Sequence, residues 1–145
     1  MAMTVVVDAN VTLALALPLP YSSHADRRID EWRDERAIVA APRLWNYEVA
    51  SGLRRALWHK LITRSQLEEA LTLLEALELE MIDPSPALNR GALRWADRLG
   101  QSKAHDGHYV TLAEKLNAQF WTADERLRNA LAAQGASWAH WIGAA

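Results

Sequence analysis

The chain has 145 residues, half of them apolar and 23% charged, with a net charge of −2. That is enough apolar material for one core, too little charge for a disordered chain, and no strongly basic body to recruit a polyanion. The lack of cysteine excludes disulfide staples and thiolate metal sites and points to a reducing, cytoplasmic setting. No signal-peptide pattern opens the chain. Its apolar stretch from Val11 to Leu19 falls well short of the ~20 residues of a membrane span. Without repeats, low-complexity stretches or linker-like segments, residues 1–145 read as a single domain of a protein that has no membrane partner.

The Val5-Val6-Val7 run is apolar on both faces, which predicts a central strand of a parallel sheet, ended by Asp8. Asn10 is placed to cap a short helix over Val11–Leu17, which Pro18 and Pro20 close. Ser23–Glu35 reads as a polar surface helix to which the sequence assigns no role, and Ala37–Ala41 as a second buried strand. A long helix over Arg43–Leu61 carries Trp45, Val49, Leu53, Ala56 and Leu57 on one stripe. Thr63 and Gln66 form a capping box for a helix reaching about Glu75, and Leu77–Ile82 is a third strand candidate. A turn through Asp83-Pro84-Ser85-Pro86 leads into a helix that ends near Gly100. Ala104–Leu116 is a further helix, Ala118–Thr122 a fourth strand, Asp124–Ala133 a helix and Ser137–Ile142 a terminal strand. This alternation predicts an α/β three-layer sandwich around a mainly parallel sheet, with reactive groups at the carboxyl ends of the strands.

Four carboxylates beside apolar segments stand out. Asp106 falls within the apolar arc of Tyr109, Val110, Ala113 and Leu116, an inward position that a favourable helix dipole alone does not explain. Asp8 ends the first strand, either as a turn residue or as an acid pointing out of the sheet end. Glu48 borders its helix's apolar stripe, either solvated or paired with Arg55, while nearby Gly52 hints at close packing. Asp124 has the plainest structural alternative, a first-turn acid inside a capping box of Thr122 and Glu125. Four acids gathered in one half-buried pocket would require a hard cation, the setting of phosphodiester chemistry. The histidines lack zinc-ligand spacing, and there is no phosphate loop or GxSxG. The seven tryptophans fall mostly at core positions, with Trp138 and Trp141 as candidates for a partner surface.

In order along the chain, VVVDAN, NYEVASGLRRAL, HDGHYVTLAEKL and FWTADERL resemble the motifs of PIN-domain ribonucleases, particularly the VapC toxins of toxin–antitoxin pairs. One departure is Gly107, which follows Asp106 where such proteins often carry Ala and which would loosen the helix start. The resemblance implies a Mg²⁺- or Mn²⁺-dependent endoribonuclease that hydrolyses RNA with a metal-activated water and leaves a 5′-phosphate and a 3′-hydroxyl. Asp8 and Asp106 would be direct metal ligands, Glu48 and Asp124 would complete the catalytic acid quartet, and Asn10 and Thr122 would orient the carboxylates. Lys103, Arg43, Arg54, Arg55 and Arg126 are candidates for holding RNA, with single-stranded or looped RNA the expected substrate. The resemblance also implies a homodimer and a cognate antitoxin, for which Leu67, Leu71 and Leu74 offer either a docking groove or ordinary core packing. Two other classes compete. A phosphoacceptor receiver lacks its paired acids and its lysine here, and a non-catalytic binding module of the same fold gives no reason to keep four repelling charges.

Overall fold

The computed structural model describes residues 2–144. Its elements are β1 (Thr4–Val7), α1 (Ala9–Ala16), α2 (Ser22–Asp34), β2 (Ile38–Pro42), α3 (Leu44–Trp58), α4 (Arg64–Glu75) and β3 (Glu80–Ile82), then α5 (Pro86–Leu99), α6 (His105–Leu116), β4 (Gln119–Thr122), α7 (Glu125–Ala133) and β5 (Ala139–Trp141). The five strands form one sheet in the order β3-β2-β1-β4-β5, and every pairing is parallel. Helices cover both of its faces, giving a three-layer α/β sandwich.

The triple valine is central for a physical reason. Successive side chains of a strand point to opposite faces, so Val6 joins the core under α3, α5 and α6 while Val5 and Val7 join Trp32, Trp121 and Ile142 on the other side. All three are fully buried. β1 is also where the strand order reverses. Its neighbours β2 and β4 lead away in opposite directions, opening the crevice at the carboxyl end that such sheets offer to ligands.

Two expected caps are exchanged between neighbours. Asp8, not Asn10, occupies the cap position of α1, and its side chain makes no capping hydrogen bond. Asp124, not Thr122, caps α7, accepting from the backbone N–H groups of Arg126 and Leu127 at 3.0 and 3.2 Å. Thr63 and Gln66 do form their capping box. The third strand is shorter than expected, since its first residues run in a loop before Glu80.

Two glycines reveal close helix packing. A Cβ on Gly107 would overlap the backbone carbonyl of Ala92 in α5, and one on Gly91 would overlap the Thr111 side chain in α6. Gly107 therefore allows α5 and α6 to approach. Gly52 faces the end of the Leu13 side chain, which accounts for the close packing its place in the sequence suggested. Leu74 is buried, and Leu67 and Leu71 pack on the core as partly buried neighbours, so that stripe of α4 is core packing and not a free groove. Trp58 departs from the expectation for tryptophans, being 69% exposed at the end of α3.

Candidate metal centre

At the carboxyl end of β1 and β4 lies a cleft of about 600 Å³ whose walls include Asp8, Glu48, Asp106 and Asp124. Four elements contribute, and the parallel β1–β4 pair brings the first and last acids to the same sheet end. Asp8 is buried and Asp124 is exposed, while Glu48 and Asp106 are half-buried. None of the four takes part in a salt bridge among the described residues.

Each carboxylate has a different anchor. Thr122, fully buried, donates its hydroxyl to Asp8 Oδ2 at 2.9 Å. The same Oγ1 accepts from the Asp124 backbone N–H at 3.1 Å and from Asn10 Nδ2 at 3.3 Å. Asn10 Oδ1 accepts from the Ala123 backbone N–H at 2.9 Å, so Asn10 and Thr122 tie the β1–α1 turn to the β4–α7 turn. Two further anchors escape sequence reasoning. The Tyr109 hydroxyl donates to Glu48 Oε1 at 2.6 Å, and Gln101 Nε2 donates to Asp106 Oδ2 at 2.8 Å. In the sequence, Tyr109 is simply an apolar member of the α6 face, and Gln101 lies in the α5–α6 loop, where no periodic pattern singles it out.

The electrostatics follow from burial. Burial first, then the charges of Asp106 and Glu48, push the Asp8 carboxyl from 3.8 up to about 7, although the Thr122 hydrogen bond opposes the change. Burial, the Asp8 and Glu48 charges and the hydrogen bond it gives Glu48 raise Tyr109 far above its ordinary value, so its hydroxyl stays protonated and donates. Tyr21, in the α1–α2 connection, is raised by burial and by the charges of Asp8 and Asp124.

Of the cations proposed from sequence, Arg55 and Lys103 line this cleft. Arg43 instead pairs with Asp83 at 2.7 Å, and the Arg54 guanidinium lies 5.3 Å from the centre of the Trp58 ring. Arg126 gives Asp124 a backbone N–H. Among the described residues, no group of three or more His, Asp or Glu side chains is gathered tightly enough to hold an ion by itself. Mg²⁺ tolerates such a loose donor set because it takes one or two carboxylates directly and keeps several waters. The donor chemistry fits: oxygen ligands only, no ion pair to the acids among the described residues, and one carboxyl destabilised first by burial and then by its acidic neighbours.

With this geometry in view, comparison with known proteins defines the class. Residues 5–131 match the model of the PIN domain, and the chain belongs to the PIN domain family. PIN domains are generally metal-dependent nucleases. Among solved structures, the crystal structure of PAE2754 from Pyrobaculum aerophilum superposes with a TM-score of 0.64 at 23% identity, covering 99% of this chain and 94% of the other. At that identity the likeness bears on the fold alone. Comparison with curated protein sequences found no match. No helix among the described residues is long and apolar enough to cross a membrane.

Proposed function

We propose that this chain is a Mg²⁺-dependent endoribonuclease acting as the toxin of a type II toxin–antitoxin pair in the cytoplasm, with residues 1–145 as one nuclease domain. The observation that carries the nuclease reading is the cleft itself, which four carboxylates line with no salt-bridge partner among the described residues and in which Asp8 is pushed up to about 7. Such an arrangement costs free energy unless a cation occupies it.

In this reading Asp8 and Asp106 hold the Mg²⁺ (or Mn²⁺), and Glu48 and Asp124 complete the acidic pocket around it. When bound, the cation would neutralise phosphate charge and supply an acidified water for attack on phosphorus. The chain's own groups do the positioning. Thr122 holds one oxygen of Asp8, and Tyr109 and Gln101 do the same for Glu48 and Asp106. Arg55 and Lys103, on the walls of the same cleft, are the cations available to RNA phosphates there.

The toxin assignment rests on the resemblance of the four motifs to VapC toxins, and with it come a homodimer and a cognate antitoxin. Trp58 and Leu61, 69% and 61% exposed where α3 turns toward α4, offer the antitoxin an apolar anchor in place of the core-packed leucines of α4. A second reading, a binding module acting only through its partner, draws on the loose gathering of the acids. Titration calorimetry separates the two. A nuclease binds Mg²⁺ through Asp8 and Asp106, so that Asp8→Asn or Asp106→Asn weakens binding at least about tenfold, and its RNA products carry a 5′-phosphate. Absence of Mg²⁺ binding by the wild type would favour the binding module.

A further inference from the structure

A second cavity, of about 580 Å³, adjoins the acid cleft, and Leu44, Tyr47 and His105 line both. It lies over the carboxyl ends of β2 and β3, where the Arg43 backbone N–H donates to the Ile82 carbonyl at 3.2 Å and the Arg43–Asp83 ion pair closes the rim. Ile82, Leu88 and Leu112 give it an apolar floor, while Asn89 and His108 bring polar groups to its edge. The volume suits a small planar ligand.

Three features select the ligand. Tyr47 projects from the first turn of α3 with 74% of its surface exposed and lines both cavities. An uncovered aromatic ring is a stacking platform, and every nucleobase has a face for it. The charges differ sharply from those of the neighbouring cleft. The carboxylate in this cavity's wall, Asp83, is already neutralised by Arg43, so no free acid repels a nucleotide. Finally, the cavity adjoins the acid cleft at the carboxyl edge of the sheet, so that one ligand can reach into both.

We propose that this cavity is a nucleobase subsite, in which the base next to the scissile phosphate stacks on Tyr47 and presents its edge to Asn89 and His108. The inference rests on the nuclease reading for its substrate and assigns base preference to residues outside the acid quartet. It makes Tyr47 a residue that binds RNA and not one that holds metal.

The test compares wild type with Tyr47→Ala, Tyr47→Phe and Leu88→Trp, the last filling the cavity floor. Cleavage of short RNAs varied at the position beside the cut is measured alongside Mg²⁺ affinity. The expected result is that Tyr47→Ala raises KM at least about fivefold and flattens base preference, Tyr47→Phe stays near wild type, and Mg²⁺ affinity is unchanged in all. Leu88→Trp should also alter base preference. Unchanged KM and preference in Tyr47→Ala and Leu88→Trp would overturn the subsite and leave the cavity to a protein side chain. If the wild type cuts no RNA, anisotropy of a labelled RNA oligonucleotide decides separately. Weaker binding by Tyr47→Ala upholds the subsite while the nuclease reading fails; equal or absent binding overturns it.

Discussion

Asp8 shows at the scale of one residue how a proposed function is set against stability. Its carboxyl titrates near 3.8 in an unfolded chain and near 7 in the fold. Between those values the folded protein holds a proton that the unfolded chain has released. The contribution of this group to stability is therefore complete below about pH 3.8 and is lost as pH rises through about 7. Asp8→Asn is accordingly expected to raise the melting temperature of the metal-free protein at pH 8, where Asp8 is charged, and to change it little near pH 4. Mg²⁺ affinity of the wild type should climb with pH up to about 7 and then level off. A melting temperature lowered at pH 8 by Asp8→Asn would show that the carboxylate is already compensated. Tyr109 makes a complementary case, because its hydroxyl reaches Glu48 from a buried position. Tyr109→Phe keeps the ring in the core and deletes one hydrogen bond to a charged group, a loss of roughly 1.5–3 kcal/mol where that bond is made. Weaker Mg²⁺ binding with the fold retained is expected by calorimetry and circular dichroism, and unchanged binding would remove Tyr109 from the site.

The most demanding contact between elements is that of α5 on α6, where Gly107 meets the Ala92 carbonyl and Gly91 meets Thr111. Gly107→Ala would trade better helix propensity for backbone overlap. Because the carbonyl cannot turn away as a side-chain tip could, overlap should win, with a net loss of about 1–3 kcal/mol in urea unfolding. A gain in stability would mean the helices can separate freely. This level also shows what could be read from sequence. β1 was legible because three consecutive β-branched valines suit a strand buried on both faces, and the Thr63–Gln66 box because its partners lie within one turn. The caps at Asp8 and Asp124 were not, since the Thr122 hydroxyl that would have capped α7 is bound to Asp8, 114 residues away. Short-range rules could not see that competition. The Tyr109 and Gln101 anchors were hidden for related reasons, one across 61 residues and the other inside a loop.

In the whole molecule, the strand order places β1 beside β4, so acids from the two ends of the chain share one cleft with acids from α3 and α6. The order of the four motifs was visible in the sequence. Their convergence was not, because it depends on which strands become neighbours. The same carboxyl edge carries the Tyr47 cavity, so one side of the sheet provides both the proposed chemistry and the proposed base recognition. That edge is the proposed place of the RNA, and Arg55 and Lys103 are expected to contribute jointly to a salt-dependent KM. The most direct measurement is cleavage of a mixed RNA panel with Mg²⁺, Mn²⁺ or chelator, using wild type, Asp8→Asn and Asp106→Asn. The account predicts cutting that requires the metal and disappears in both variants. Cutting that survives both substitutions, or that proceeds undiminished in chelator, would contradict it.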